Sequence, residues 1–157
     1  MSGVMHLAEI NIARLLYPQD DPRVAEFMDN LERVNTIAER SAGFVWRFKD
    51  DSGNATDTQV FDDPQVIVNM SVWESAAALE HFVFKTVHQQ FYGKRRAWFD
   101  PAFKPALALW WIEAGTTPTL DEALARWRRL RDEGPGADVF GWEGAAEAEL
   151  WKTARCG

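Results

Sequence analysis

The sequence has few of the residues from which many active sites are built: one cysteine, three histidines and two tyrosines in 157 residues. Cys156 has no second cysteine to pair with, so a scaffold of internal disulfides is excluded. No G-x-S-x-G segment, P-loop, G-x-G-x-x-G segment or paired-cysteine motif is present. Serine-elbow hydrolases, P-loop nucleotidases and flavin or nicotinamide enzymes are therefore without support.

Long apolar runs are also missing, since the longest, 106–112, is far too short to cross a bilayer. The first seven residues lack a basic segment followed by an apolar stretch, so we expect a cytoplasmic protein. The net charge of −7 opposes nucleic acid or an anionic membrane as a partner. Two basic clusters run against this balance, one at 94–96 and one at 126–131, and the second is interpreted as a solvated helix face.

Aromatic residues are abundant by contrast, with 8 tryptophans and 10 phenylalanines. Large rigid side chains fill a hydrophobic core, and they also line pockets for flat apolar ligands. The length, the 46% hydrophobic and the 26% charged fractions are typical of one globular domain. Composition alone does not separate the two uses of the aromatic residues.

Hydrophobic periodicity predicts the order of the elements. Strands are predicted at 6–13, 44–48, 66–73 and 106–113, with candidate short strands at 58–61 and 139–142. Helices are predicted at 22–40, at 76–99 with a break near Gly93, and from a cap at Thr119 to Gly134. The order is that of an α+β, ferredoxin-like split βαββαβ sheet with helices on one face, plus an appended C-terminal helix.

The predicted strands have one apolar and one mixed face. We assign Ala8, Ile10, Ile12, Phe44, Trp46, Phe48, Val66, Val68, Met70, Val72, Leu107, Leu109 and Trp111 to the apolar set. The mixed set comprises Leu7, Glu9, Asn11, Val45, Arg47, Ile67, Asn69, Ser71, Trp73, Ala108, Trp110 and Ile112. We expect the helices to cover the apolar set and a second copy of the sheet to cover the mixed set, which predicts a homodimer.

The polar groups of the mixed set have two possible uses. Glu9 and Arg47 can pair, with Asn69 and Ser71 joining a structural network at the dimer seam. Alternatively, the same groups line a ligand cavity between the sheet and the helices. The pattern leaves both open.

Several separate segments resemble one bacterial family. They include Leu7-Ala8-Glu9-Ile10-Asn11, Gly43-Phe44-Val45-Trp46-Arg47, Asn54-Ala55-Thr56-Asp57, Asn69-Met70-Ser71-Val72-Trp73-Glu74-Ser75, Phe82-Val83-Phe84 with His88, Arg95-Arg96-Ala97-Trp98-Phe99, and Leu109-Trp110-Trp111-Ile112 with Ala114-Gly115. The family is domain of unknown function 3291, in the dimeric α+β barrel superfamily of the antibiotic-biosynthesis monooxygenases. The resemblance predicts one domain at 1–143, and it does not extend to an atypical tail at 144–157.

The resemblance implies a fold more specifically than an activity. The superfamily includes cofactor-free oxygenases of polycyclic aromatics, haem-degrading enzymes, isomerases and cyclising enzymes, and a fold does not choose among them. Its haem-degrading branch has an iron-ligating histidine in a Phe-Lys-x-x-His segment, and Phe84-Lys85-Thr86-Val87-His88 is similar. Asn11 matches a first-strand asparagine of that branch, but Phe82 stands in the region of its helical tryptophan. Haem ligation is thus implied more than haem breakdown.

A helical stripe carries further candidate groups: His81, Phe84, His88, Tyr92 and Arg95. Imidazole, phenol and guanidinium groups suit acid–base work or the binding of an anion, although surface histidines would show the same spacing. His81 and His88 lie about 10.5 Å apart along a helix axis, too far for one metal ion.

We therefore expect a small-molecule enzyme acting on an apolar, aromatic substrate, with a monooxygenase-like reaction in secondary metabolism and no cofactor favoured. The predicted catalytic residues are His88 as base, with Asn11 and Asn69 as hydrogen-bond donors. Substrate would be bound by Trp73, Trp110, Arg47, Arg95 and Tyr92. The alternatives are a haem protein with His88 as axial ligand, a cyclase or isomerase, and a ligand-binding protein without turnover.

Overall fold

The computed structural model describes residues 4–49, 63–85 and 94–144, and it contains one four-stranded sheet. The strands are β1 (Met5–Arg14), β2 (Phe44–Arg47), β3 (Val66–Trp73) and β4 (Leu107–Glu113). The helices are α1 (Ala25–Asp29), α2 (Leu31–Arg40), α3 (Ala76–Lys85), α4 (Arg95–Trp98) and α5 (Leu120–Glu133). Short 3-10 turns span Pro22–Val24 and Trp142–Gly144.

The strand order is β2-β3-β1-β4, and every pair is antiparallel. This order confirms the ferredoxin-like split βαββαβ sheet, because each helical connection leads to a strand that is not hydrogen-bonded to the strand before it: β1 does not pair with β2, and β3 does not pair with β4. The appended helix is α5. The side chain of Thr119 accepts a hydrogen bond from the backbone N–H of Glu122 and so caps it, as predicted, and Gly134 ends it at φ +82°.

The two faces of the sheet are covered by different helices. The side chains of Ala8, Ile10 and Ile12 belong to what we call the Ile10 face, which packs against α5 through Ala123, Leu124 and Trp127. The opposite side, the Glu9 face, comprises Leu7, Glu9, Asn11, Phe44, Arg47, Asn69, Ser71, Trp73, Leu107, Leu109 and Trp111. Its Leu7 and Trp73 pack against Ala38 of α2 and Leu79 of α3.

Our assignment of helices to faces was therefore wrong. The helices α2 and α3 cover the mixed face, and the appended helix covers the apolar one. Strand alternation distinguishes two faces but does not show which one a helix will cover. The mixed face is therefore not bare, although our homodimer prediction assumed that it is: helices cover its Leu7 and Trp73 end, and its far end, at Asn11 and Asn69, is exposed.

Two strands were also out of register in the prediction. Trp110 stands opposite Ala8 and Trp111 opposite Leu7, so Ala108, Trp110 and Ile112 lie on the Ile10 face. Leu107, Leu109 and Trp111 lie on the Glu9 face, because a shift of one residue moves every side chain of a strand to the other side. In β2 an irregularity between Phe44 and Trp46 places Phe44 opposite Trp73 and Arg47 opposite Ser71.

The predicted helix at 22–40 is broken into three pieces. Asp21 caps the first piece, as expected, by accepting a hydrogen bond from the N–H of Arg23. The break lies at Asn30, whose side-chain amide donates to the carbonyl of Glu26 and takes the place of a backbone donor. The candidate strand at 139–142 is reduced to one bridge between Phe140 and Leu109.

Some predictions fall outside the described residues: the strand at 58–61, the break near Gly93 and the tail beyond Gly144. Within the described ranges, no helix is long and apolar enough to span a membrane.

Candidate functional site

Three rows of side chains cross the Glu9 face. The row nearest α3 is apolar and contains Trp111, Leu7, Trp73 and Phe44. The middle row contains Leu109, Glu9, Ser71 and Arg47, and the third contains Leu107, Asn11 and Asn69. The face thus changes from apolar to polar along the strands. Neighbouring rows are two residues apart on each strand, which is a distance of about 7 Å.

The centre of the middle row is a chain of buried hydrogen bonds. The Ser71 hydroxyl donates to Oε1 of Glu9 at 2.6 Å, and Nε1 of Trp73 donates to Oγ of Ser71 at 2.9 Å. Glu9 is 5% exposed, Ser71 6% and Trp73 1%. A carboxyl group is seldom buried so completely, and among the described residues Glu80 on α3, at 4% exposed, is the other buried carboxyl group.

The environment of Glu9 changes its acidity. Burial raises the pKa of Glu9 from 4.5 to about 8, and the hydrogen bond from Ser71 opposes that rise only in part. The carboxyl is therefore mostly neutral at pH 7 but gains or loses a proton near neutrality. A pKa close to the working pH is the property that a general acid or base requires.

Aromatic rings hold the donor end of the chain in place. The Trp73 indole stacks on Phe82 of α3, with centroids 5.3 Å apart, and meets the edge of Phe44 at 5.4 Å. The indole is thus fixed between helix and strand, which fixes the direction of its N–H. The same rings make an apolar wall beside Glu9.

Polar groups border Glu9 on the remaining sides. Asn11 and Asn69 are directly opposite each other, one row beyond Glu9 and Ser71, and both are exposed. Nε of Arg47 lies 3.7 Å from Oε1 of Glu39 on α2, and the Arg47 side chain is 10% exposed. The structure therefore brings together four of the predicted site residues on one face: Asn11, Asn69, Arg47 and Trp73.

Other predicted site residues lie elsewhere. Trp110 is fully buried on the Ile10 face under Arg126 of α5, so it cannot wall the same pocket as Trp73. Arg95 belongs to α4, whose Trp98 packs with Leu15 at the far end of β1. Neither His88 nor Tyr92 is among the described residues, and their proposed roles stay predictions.

Sequence reasoning did not identify Glu9 as a buried carboxyl with a raised pKa. We considered it as an ion-pair partner of Arg47, whereas the structure gives it the Ser71 hydroxyl as donor. The available signal was a single carboxylate between Ala8 and Ile10 in an otherwise apolar stretch of the first strand. A single carboxylate of this kind indicates a buried group with a raised pKa only when helices are known to cover that face of the sheet.

A separate open cleft of about 510 Å³ lies at the outer edge of β4. Its lining residues are Trp111, Pro135, Gly136, Ala137, Phe140, Glu143 and Gly144. No member of the Glu9 hydrogen-bond chain lines the cleft, so we do not place the site there. Within the parts of the chain described, no group of three or more His, Cys, Asp or Glu side chains could hold a metal ion.

Solved structures with some similarity come from several organisms. SnoaB, a cofactor-independent oxygenase from Streptomyces nogalater, is 17% identical with a TM-score of 0.47, over 71% of this chain and 95% of its own. A Pseudomonas aeruginosa protein is 14% identical with a TM-score of 0.46, over 71% and 96%. A conserved protein from Methanosarcina mazei Go1 is 11% identical with a TM-score of 0.49, over 68% and 92%. Similarities this low carry no activity over to the chain.

The family comparison is more specific. No curated protein matches the sequence significantly. The family model described as a domain of unknown function, DUF3291, matches residues 6–156, a range that includes the segment beyond 143. Since the match covers nearly its whole length, the chain belongs to the DUF3291 family.

Proposed function

We propose that the protein is an enzyme that moves a proton on an apolar, aromatic small molecule at the Glu9 face, with oxygenation as its leading reaction. The observation that carries this proposal is the buried Glu9 carboxyl, whose pKa of about 8 lies near physiological pH. An aromatic wall stands on one side of it and two exposed amides on the other. The substrate reaches Glu9 from the Asn11 and Asn69 side.

The proposed proton transfer follows from these groups. The ionised Glu9 removes a proton from an acidic C–H group beside a carbonyl, and the electron pair of that bond moves onto the carbonyl oxygen. The amides of Asn11 and Asn69 donate hydrogen bonds to the resulting enolate oxygen. In the leading reaction a ring CH₂ group and dioxygen then give a ring C=O group and water.

The alternative use of this pair, with Ser71 as a nucleophile activated by Glu9, is less favourable. Nε1 of Trp73 donates to the Ser71 oxygen at 2.9 Å, and this hydrogen bond draws electron density from the oxygen and makes it a weaker nucleophile. Ser71 therefore supports Glu9 rather than reacting itself.

Proton transfer can be measured without knowing the natural substrate. We expect the protein to accelerate exchange of the acidic CH₂ protons of 2-tetralone, a neutral aromatic ketone, in D₂O, as followed by proton NMR. Glu9→Gln should lower this acceleration by about 10² or more, the usual contribution of a general base. The acceleration by the unchanged protein should rise with pH up to about 8, because the carboxylate is the active form.

His88→Ala is the matched variant, because His88 is the base that the sequence predicts. Loss of exchange in His88→Ala together with full exchange in Glu9→Gln would assign the base to His88 and contradict the role of Glu9. If the unchanged protein accelerates proton exchange in none of a panel of neutral aromatic ketones, the proposal is wrong.

Haem binding depends on residues beyond the described ranges. Of the described histidines, His6 lies opposite Ile112 on the Ile10 face, and His81 is exposed on α3. Neither histidine lies beside Asn11 on the Glu9 face. The axial ligand of haem would therefore be His88, and this role stays a prediction. A Soret band in the purified protein that is lost in His88→Ala would establish it.

We further propose that the enzyme is a homodimer, as the family resemblance implies. The sheet has an edge strand, β2, with Val45 39% exposed, and an edge strand can pair with another chain. Light scattering should give about twice the 17.9 kDa of one chain. Val45→Lys should weaken association, whereas Leu16→Lys, at a similarly exposed residue away from this edge, should not. A single-chain mass throughout the micromolar range would contradict the proposal.

A further inference from the structure

We propose that Trp73 and Ser71 form a one-directional hydrogen-bond relay that holds Oε1 of Glu9 as an acceptor and leaves Oε2 as the atom that carries and exchanges the proton. Ser71 and Trp73 are then positioning residues that act through Glu9. The inference rests on the proposed role of Glu9 in proton transfer and identifies the oxygen atom that performs it.

The direction of the relay follows from its first member. An indole nitrogen can donate a hydrogen bond but cannot accept one. Nε1 of Trp73 lies 2.9 Å from Oγ of Ser71, so the serine oxygen must be the acceptor. The indole is held between Phe82 and Phe44 and is 1% exposed, so the N–H has no room to turn away.

The second step places the proton of Ser71. A hydroxyl has one proton to donate, and Oε1 of Glu9 lies 2.6 Å from Oγ. These two bonds are the ones the structure shows for Ser71, so its proton is directed to Oε1. With Oε1 accepting, the proton of neutral Glu9 sits on Oε2.

The relay also acts on the equilibrium between the two forms of Glu9. When Oε2 gives up its proton, the negative charge spreads over both oxygens and the bond from Ser71 becomes charge-assisted. The relay thus favours the carboxylate and counters part of the effect of burial, without transferring a proton itself. The other charged or titratable groups on this face of the sheet and on the helices that pack on it are Arg47 on β2, Glu113 on β4, Glu32, Arg33, Glu39 and Arg40 on α2, and Glu80, His81 and Lys85 on α3.

The test follows the carboxyl itself, so it does not require a substrate. Carbon NMR of protein labelled at the glutamate side chains would be recorded from pH 5 to 9.5, with Glu9→Gln used to assign the Glu9 signal. Ser71→Ala should raise the midpoint of the Glu9 titration by about one pH unit or more, a tenfold loss of acidity. Ser71→Thr keeps the hydroxyl on a residue suited to strands and should restore the midpoint.

A second readout keeps the test decisive if Ser71→Ala does not fold. In the unchanged protein the Trp73 indole N–H signal, assigned with Trp73→Phe, should shift with the same midpoint as Glu9, and Glu9→Gln should abolish that shift. The relay would be overturned if the Trp73 indole signal does not shift as Glu9 titrates, or if the Glu9 midpoint is unchanged in folded Ser71→Ala.

The relay and the proposed function can fail separately. If 2-tetralone exchange depends on Glu9 but Ser71→Ala titrates like the unchanged protein, the relay is wrong and the function stands. If Ser71→Ala moves the midpoint but no ketone exchanges, the relay stands and the proton-transfer function is wrong.

Discussion

Glu9→Gln should make the protein more stable than its parent at pH 9 by about 3 to 5 kcal/mol, and nearly equal to it at pH 4.5. The folded protein keeps the Glu9 proton up to about pH 8, whereas the unfolded chain releases it near 4.5. Between pH 4.5 and about pH 8, unfolding therefore releases a proton from Glu9, so a rising pH favours the unfolded state. Each unit of pKa difference corresponds to about 1.36 kcal/mol.

The glutamine side chain resembles the neutral carboxyl but has no proton to lose. Its oxygen can accept from Ser71, and its NH₂ group takes the place of a protonated Oε2. Urea unfolding of both proteins from pH 4.5 to 9 would measure the difference. Glu113→Gln, at an exposed glutamate of β4, is the control and should show no gain that grows with pH. Parallel stability curves for Glu9→Gln and its parent would show that Glu9 titrates normally.

Gly43→Ala should destabilise the protein by about 2 to 5 kcal/mol, through two effects at one position. Gly43 has φ +83°, in the left-handed region that side chains disfavour. An added Cβ would also collide with Cβ of Ala78 on α3. The carbonyl of Gly43 accepts from the N–H of Glu74 at 2.7 Å, so this turn is fixed against the start of α3 and cannot easily withdraw.

Gly115→Ala separates the two effects. Gly115 has φ +91°, but nothing lies within 4 Å of its added Cβ, so only the backbone cost of about 1–2 kcal/mol applies. Gly43→Ala combined with Ala78→Gly should recover part of the loss, because the collision is removed. Equal losses in Gly43→Ala and Gly115→Ala, measured by urea unfolding, would show that α3 does not pack closely on this turn. Close packing here matters for the site, since α3 carries Phe82 against Trp73.

Individual site residues differ in how far the sequence predicted them. Asn11, Asn69 and Trp73 were expected near one another and share the Glu9 face, because antiparallel pairing places Asn11 opposite Asn69 and Leu7 opposite Trp73. Trp110 was assigned to the same side and lies on the other, since nothing in an apolar run such as 106–112 marks its register. Glu9 was assigned to the mixed face, as an ion-pair partner of Arg47 or as part of a cavity lining, but its raised pKa was not predicted.

By itself, the sequence determined the kinds and order of the elements: four strands, helical connections and an appended helix capped by Thr119. These depend on local periodicity and capping, which a single chain segment contains. Only the tertiary structure decided that α2 and α3 cover the polar face and that the irregularity in β2 places Phe44 on it. Only that covering removes water from Glu9, and the loss of water raises the pKa of an ordinary glutamate to about 8, although its hydrogen bond from Ser71 lowers the pKa. A strand with period two is compatible with a helix on either side, so the choice depends on contacts between segments that are far apart in the chain.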